Sequence, residues 1–170
     1  MKSLVDRLAA YAEYHRDKRN IATHFVGIPM ILVGTQASLA RIGIGPINAA
    51  VGATALATRY YRALDPQYGA AMGAVLGATC GIGSAIAALP LPIWAGTSAG
   101  LIIGGLAWQF LGHYFEGRKP AFFDDLMSTL DGPLFLVAEA AFTLGLSREL
   151  RDEIEHRAGP TRWGRIAVAA

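Results

Sequence analysis

Charge is what this sequence has least of. Only 16% of its residues are charged, against about a quarter in soluble domains. The deficit is also concentrated. No Asp, Glu, Lys or Arg occurs between Asp65 and Glu116, and between His24 and Arg59 the one charge is Arg41. A water-facing surface cannot be built from such segments, which excludes an ordinary soluble domain. Cysteine is nearly absent. Cys80 stands alone in an apolar run, so neither an intrachain disulfide nor a cysteine-based zinc site is available, and it reads as helix packing. No GxSxG, phosphate loop or HExxH occurs. The basic residues are dispersed without interleaved aromatics, which argues against nucleic acid. The first twenty residues, MKSLVDRLAAYAEYHRDKRN, have no apolar core before a cleavage site. They read as a short amphipathic helix, not a signal peptide.

What is present is apolar sequence, 53% of the chain. Candidate spans run over about 23–40, 46–62, 68–89 and 93–114. A fifth stretch, 133–146, is short for a span and suits a re-entrant or interfacial helix. The expected fold is an all-α polytopic membrane bundle, with about four transmembrane helices plus that short helix. It is read as one membrane domain over 1–170. Residues 1–22 form the amphipathic segment, 23–146 the membrane helices and 147–170 a charged helix and tail. With the N-terminus in the cytoplasm, every Lys and Arg except Arg41 falls inside, from Lys2 and Arg7 to Arg162 and Arg165. That asymmetry sets the orientation, with both termini cytoplasmic. Glycines recur every fourth residue at Gly69, Gly73, Gly77 and Gly81 and at Gly96, Gly100 and Gly104. The spacing predicts that the third and fourth spans pack face to face across the PLP turn. A homo-oligomer is another use of the same stripes.

In this topology His15, Asn20 and His24 stand at the cytoplasmic start of the first span. His113 and Glu116 stand at the cytoplasmic end of the fourth. Gln109, His113 and Glu116 share one helix face, and Asn20 and His24 are one turn apart. His15 and His24 are nine residues apart, about 900° on a continuous helix, so a bend near Asp17–Asn20 is needed to bring both to one site. Ionisable groups at membrane depth are costly and usually functional. Imidazoles with a carboxylate suit iron, zinc or manganese, the first two favoured by the number of histidines. Glu139 is a further carboxylate in an apolar stretch, either a ligand or a residue orienting one. Arg118 and Lys119 read as headgroup anchors, with binding of a substrate carboxylate as the alternative. Tyr11 and Tyr14 read as interface anchors, and His156 as a solvated residue of a charged helix. From the residues alone several functions stay open: a metal-dependent oxygenase, a zinc-dependent lipid hydrolase, a haem protein, and a non-catalytic structural or transport protein.

The order YxxYHxxxxNxxxHxxxxP (Tyr11, Tyr14, His15, Asn20, His24, Pro29) is followed by QFxGHxxFExxxPA (Gln109, Phe110, Gly112, His113, Phe115, Glu116, Pro120, Ala121), then by Pro133 and Glu139. Over roughly 11–146 this pattern resembles the fungal-type 2-hydroxy fatty acid dioxygenase family. The resemblance implies an iron(II)-dependent enzyme that uses molecular oxygen to shorten 2-hydroxy fatty acids by one carbon, in the α-oxidation of fatty acids. Fungal members reside in the endoplasmic reticulum membrane; the Gly/Ala-rich composition here leans toward a bacterial inner membrane. Carried over residue by residue, the resemblance makes His15, His24 and His113 the iron set, with Glu116 and Glu139 next. His15, His24, His113 and Glu116 are then the catalytic group, and Asn20, Gln109, Arg118 and Lys119 the substrate-binding candidates. Ligands at the membrane face suit an amphiphilic substrate whose headgroup reaches the metal while its chain stays among the helices. The sequence departs from the fungal pattern at Asp131-Gly132, where that pattern is more apolar.

Overall fold

The computed structural model describes residues 3–44, 47–125 and 127–164. Lys2, Pro46 and Arg165, used above for charge and span assignment, lie outside the described residues, as do the outer ends of the 1–22 and 147–170 segments. The described chain is helical: α1 (Leu4–Ala12), α2 (Lys18–Leu39), α3 (Ala49–Leu64), α4 (Pro66–Ala87), α5 (Leu91–Glu116), a 3-10 turn (Ala121–Phe123), α6 (Ser128–Thr143) and α7 (Arg148–Ala158). A two-residue antiparallel ladder, β1 (Gly43–Ile44) with β2 (Ile47–Asn48), joins α2 to α3. The all-α membrane bundle is therefore the fold. Among the described residues three helices are long and apolar enough to cross a membrane: α2, α4 and α5. At 1.5 Å per residue their 22 to 26 residues reach about 33–39 Å, enough for a hydrocarbon core of about 30 Å. The protein is an integral membrane protein.

One expectation needs correction, and the re-entrant reading of the fifth stretch is kept. The second expected span is α3, whose 16 residues rise only about 24 Å, too short to count with the other three. The fifth stretch is α6, which meets α7 at a bend of 119°, the geometry of a broken span or a re-entrant segment.

The chain divides into two compact units, residues 27–106 and residues 1–26 with 107–170. In the 27–106 unit, α3 and α4 form a tight hairpin. Asp65 caps α4 by accepting from Gln67 N and Tyr68 N at 2.9 and 2.8 Å, and Pro66 occupies the first turn, where no N–H is required. The glycine stripes are used differently from the expectation. A Cβ on Gly69 would strike the Arg62 backbone and one on Gly73 the Thr58 methyl, so this end of the α4 stripe packs on α3. Gly34 of α2 lies against Ser98, Leu101 and Ile102 of α5, and Gly105 of α5 against Gly27 and Ile31 of α2. Gly77, Gly81, Gly96 and Gly100 face open space, so the stripes do not meet as an α4–α5 pair. Small residues permit close approach, but their spacing does not name the partner. Arg41, the lone charge between His24 and Arg59, donates to the Ala87 and Leu89 carbonyls at and just after the end of α4 and lies over the Trp94 ring. It satisfies helix-end carbonyls that have no intrahelical donor.

In the other unit, α1 packs against α6 and α7. Ser3 and Asp6 close a capping box at the start of α1. Arg7 pairs with the buried Asp131 of α6 at 3.2 Å. That pair accounts for the acidic residue at the Asp131-Gly132 departure: its charge is matched from α1.

Candidate metal centre

Residues 13–17 form the short link between α1 and α2 and carry His15. The helix is interrupted here, upstream of the bend expected within 17–20 and sharing only Asp17 with it. Asp17 restarts it. Its carboxylate accepts from Arg19 N at 2.9 Å and pairs with the Arg19 guanidinium at 2.6 Å, which holds its pKa below the ordinary carboxylate value. This is why α2 begins at Lys18 despite the charges there. The break frees His15 to turn toward His24, which a continuous helix would prevent.

His15, His24 and His113 then converge. One ring nitrogen from each lies within 4.8 Å of the others. The ring centroids are 4.5 Å (His15–His24), 4.9 Å (His15–His113) and 5.1 Å (His24–His113) apart, all edge-on. All three side chains are buried. A close approach of α2 and α5 makes this possible. A Cβ on Gly112 would collide with Asn20 Oδ1 and Thr23 Oγ1, so only glycine lets the His113 turn of α5 come this near to α2.

Hydrogen bonding sets the tautomers. His15 Nδ1 lies 2.7 Å from the Tyr11 carbonyl and His24 Nδ1 lies 2.9 Å from the Asn20 carbonyl. A carbonyl only accepts, so both Nδ1 atoms carry the hydrogen. Both Nε2 atoms are then bare lone pairs, yet they face each other at 3.0 Å. Two acceptors at that distance repel unless a cation lies between them. A proton is poorly suited to the task. Burial, and then the neighbouring His24 and His113, push the His15 pKa well below its ordinary value, so the ring is neutral near pH 7. A metal ion fits. Two nitrogens about 2.1 Å from one ion are about 3.0 Å apart when the bonds meet at a right angle and about 3.4 Å apart in a tetrahedron. His113 Nδ1 is also buried with no hydrogen-bond partner among the described residues, an orphan that coordination or an ordered contact would satisfy.

The other expected site residues are placed as follows. Glu116 is buried beside the cluster, but its oxygens are taken. Oε2 accepts from Arg16 N at 3.0 Å, Asp17 N at 2.8 Å and Asn20 Nδ2 at 3.1 Å, and Oε1 from Arg162 Nη2 at 3.3 Å. Asn20 also donates to the Tyr14 carbonyl at 3.0 Å, while its Oδ1 has no donor. Gln109 is buried one turn before His113, with Nε2 unpartnered. Glu139 faces away from the histidines toward Arg16, 4.0 Å off, and lines a cavity of about 270 Å³ with Arg16, Lys18, Ile21, Phe142 and Arg151. Arg118 donates to the Glu13 carbonyl at 2.6 Å and stacks on Tyr14, and Lys119 pairs with Asp124 at 2.5 Å. Arg118 pins the exposed loop after α5 to the 13–17 link, while Lys119 closes an ion pair within that loop. Tyr11 differs from its reading as an interface anchor. It is buried, and its ring stacks on His15 at 4.0 Å and 8°. Its spacing of four residues from His15 is the signal that could have found it. Nothing in the spacing marks Arg162.

The chain matches the family described as 2-hydroxy-palmitic acid dioxygenase Mpo1-like over residues 1–144, and it belongs to that family. It is similar to a curated protein of Saccharomyces cerevisiae, 2-hydroxy-palmitic acid dioxygenase MPO1. The two are 29% identical over 156 residues, covering 90% of this chain and 88% of the yeast protein. No solved structure matches the chain.

Proposed function

We propose that this protein is an iron(II)-dependent dioxygenase that shortens 2-hydroxy fatty acids by one carbon, with His15, His24 and His113 as the metal ligands. The observation that carries the reading is the pair of Nε2 atoms facing each other at 3.0 Å in a buried three-histidine cluster, with the Nδ1 atom of each ring on a backbone carbonyl. Membership of a family whose yeast member is named for this activity supports the substrate class. Held by His15, His24 and His113, ferrous iron would supply Lewis acidity toward a 2-hydroxy acid and the electrons that activate oxygen. The protein's own part is positional. The Tyr11 and Asn20 carbonyls lock the two Nδ1–H groups and aim Nε2 inward. Glu116 holds the link that carries His15 and is a positioning residue in this reading rather than a ligand. Asn20 Oδ1 and Gln109 Nε2, both unpartnered, are the polar atoms left to meet the substrate's headgroup. The reaction balances with carbon dioxide and water beside the shortened acid: C1 leaves, C2 becomes the new carboxyl, and molecular oxygen takes four electrons.

The same reading puts the site at the cytoplasmic face of a bacterial inner membrane, with both termini inside and the acyl chain among lipid-facing helices. The test is oxygen uptake by the iron-loaded protein in detergent with a 2-hydroxy fatty acid, against the same acid without the hydroxyl. Uptake that needs the 2-hydroxyl and yields the acid one carbon shorter supports the proposal. Stoichiometric iron with no uptake on any chain length overturns it.

A further inference from the structure

We infer that Arg162 is a positioning residue for the three-histidine cluster, acting through Glu116 and the Arg16–Asp17 backbone. The inference rests on the metal reading above. It goes further by assigning a part to a segment beyond the residues that the family match covers.

After α7 the chain turns at Gly159 (φ 81°), and Arg162 comes to lie beside the 13–17 link. Arg162 N donates to the Arg16 carbonyl at 2.8 Å, and Lys18 N donates to the Arg162 carbonyl at 2.9 Å, a one-residue parallel bridge opposite Asp17. Arg16 Nη1 donates to the Gly159 carbonyl at 2.8 Å. The Arg162 guanidinium reaches Glu116 Oε1, and Glu116 Oε2 takes the Arg16 and Asp17 N–H groups. The residue directly after His15 is thus held from both sides, its N–H by Glu116 and its carbonyl by Arg162. His15 needs such a hold. Its Nε2 lone pair faces that of His24 at 3.0 Å, and in the metal-free protein the two repel. A short link with no clamp would relax outward and scatter the ligands. The clamp supplies that preorganisation, and Arg162 places a positive charge 3.3 Å from the buried Glu116 carboxylate, which fixes where that side chain sits.

The test is cobalt(II) titration of full-length, metal-stripped protein in detergent, reading the dissociation constant and the visible d–d spectrum, with thermal unfolding of the same samples. The variants are R162A, R162K and R157A. Arg157 ties α7 to Asp6 of α1, pairs with Glu153 within α7 and forms no ion pair with Glu116 among the described residues, so it reports on α7 docking alone. Expected is a loss of cobalt affinity of about tenfold in R162A with an altered d–d spectrum, the low end of what direct partners of metal ligands give, because Arg162 acts through Glu116. R162K should recover part of it, since the charge opposite Glu116 remains while the guanidinium fork is lost, and R157A should stay within about twofold of wild type. If R162A does not fold, E116Q carries the same test, keeping an acceptor while losing the charge that Arg162 pairs with. Affinity unchanged in R162A, or lowered equally in R157A, overturns the inference while leaving the metal site standing. Wild type that binds no cobalt removes the metal reading and this inference with it.

Discussion

Replacing Gly112 by alanine tests the geometry of the site directly. The new Cβ would overlap Thr23 Oγ1 and Asn20 Oδ1 and sit 3.2 Å from the Asn20 carbonyl oxygen. Neither side chain is free to leave. Thr23 Oγ1 donates to the Asn20 carbonyl at 2.7 Å, and Asn20 Nδ2 is bonded to Tyr14 and Glu116. Swinging Thr23 away forfeits one neutral hydrogen bond, about 0.5–1.5 kcal/mol, and rotating Asn20 forfeits a charged one, about 1.5–3 kcal/mol. The alternative is for α2 and α5 to part, with an overpacking cost of about 1–3 kcal/mol, and that carries His113 away from His24. Across these routes G112A should lose about 1–4 kcal/mol and bind cobalt more weakly. Thermal unfolding and cobalt titration in detergent read the two effects. G77A is the reference, because its Cβ meets nothing within 4 Å, and it should change stability by less than about 0.5 kcal/mol. Adding T23A to G112A removes one of the two clashing oxygens and should restore part of the loss, a non-additive pair as expected for touching groups. A G112A protein with wild-type stability and cobalt affinity would refute the close α2–α5 approach.

Three further outcomes follow from the same contacts. H24A and H113A should each abolish stoichiometric metal binding while the helical circular dichroism persists; full metal retention in both would remove the ligand assignment. E116Q should still bind one cobalt per chain at saturation, about tenfold more weakly, whereas E116A, which strands the Arg16, Asp17 and Asn20 donors, should cost about 3–9 kcal/mol of stability at about 1–3 kcal/mol for each unsatisfied group; loss of stoichiometric binding in E116Q would make Glu116 a ligand after all. Metal-free protein should lose stability as the pH falls below about 6.5, because the unfolded chain protonates His15 first while the folded pKa is held well below that value; stability should be flat in this respect above pH 7, and denaturant midpoints unchanged between pH 7 and 5 would contradict the buried neutral imidazole.

The membrane class was legible because burial in lipid leaves a direct mark, the charge-free run from Asp65 to Glu116. The histidine cluster was legible for a related reason: the inside-positive asymmetry put His15, His24 and His113 at one face before any geometry was known. Partners were harder to read. Gly69 and Gly73 announce a close approach, but only the fold shows that α3 receives it. Glu116 reads as a ligand because a carboxylate one turn from a histidine usually does; its partners are the backbone N–H groups of Arg16 and Asp17, which every residue type carries and no sequence pattern exposes. Arg162 was invisible as part of the site because it joins through a backbone bridge from the far end of the chain.

The most direct measurement is elemental analysis of the detergent-purified protein after anaerobic reconstitution with ferrous iron, beside H24A and H113A. The account predicts about one iron per chain in wild type and none above background in either variant. Wild type that retains no iron, or variants that retain it fully, would contradict the three-histidine metal centre on which the proposed chemistry depends.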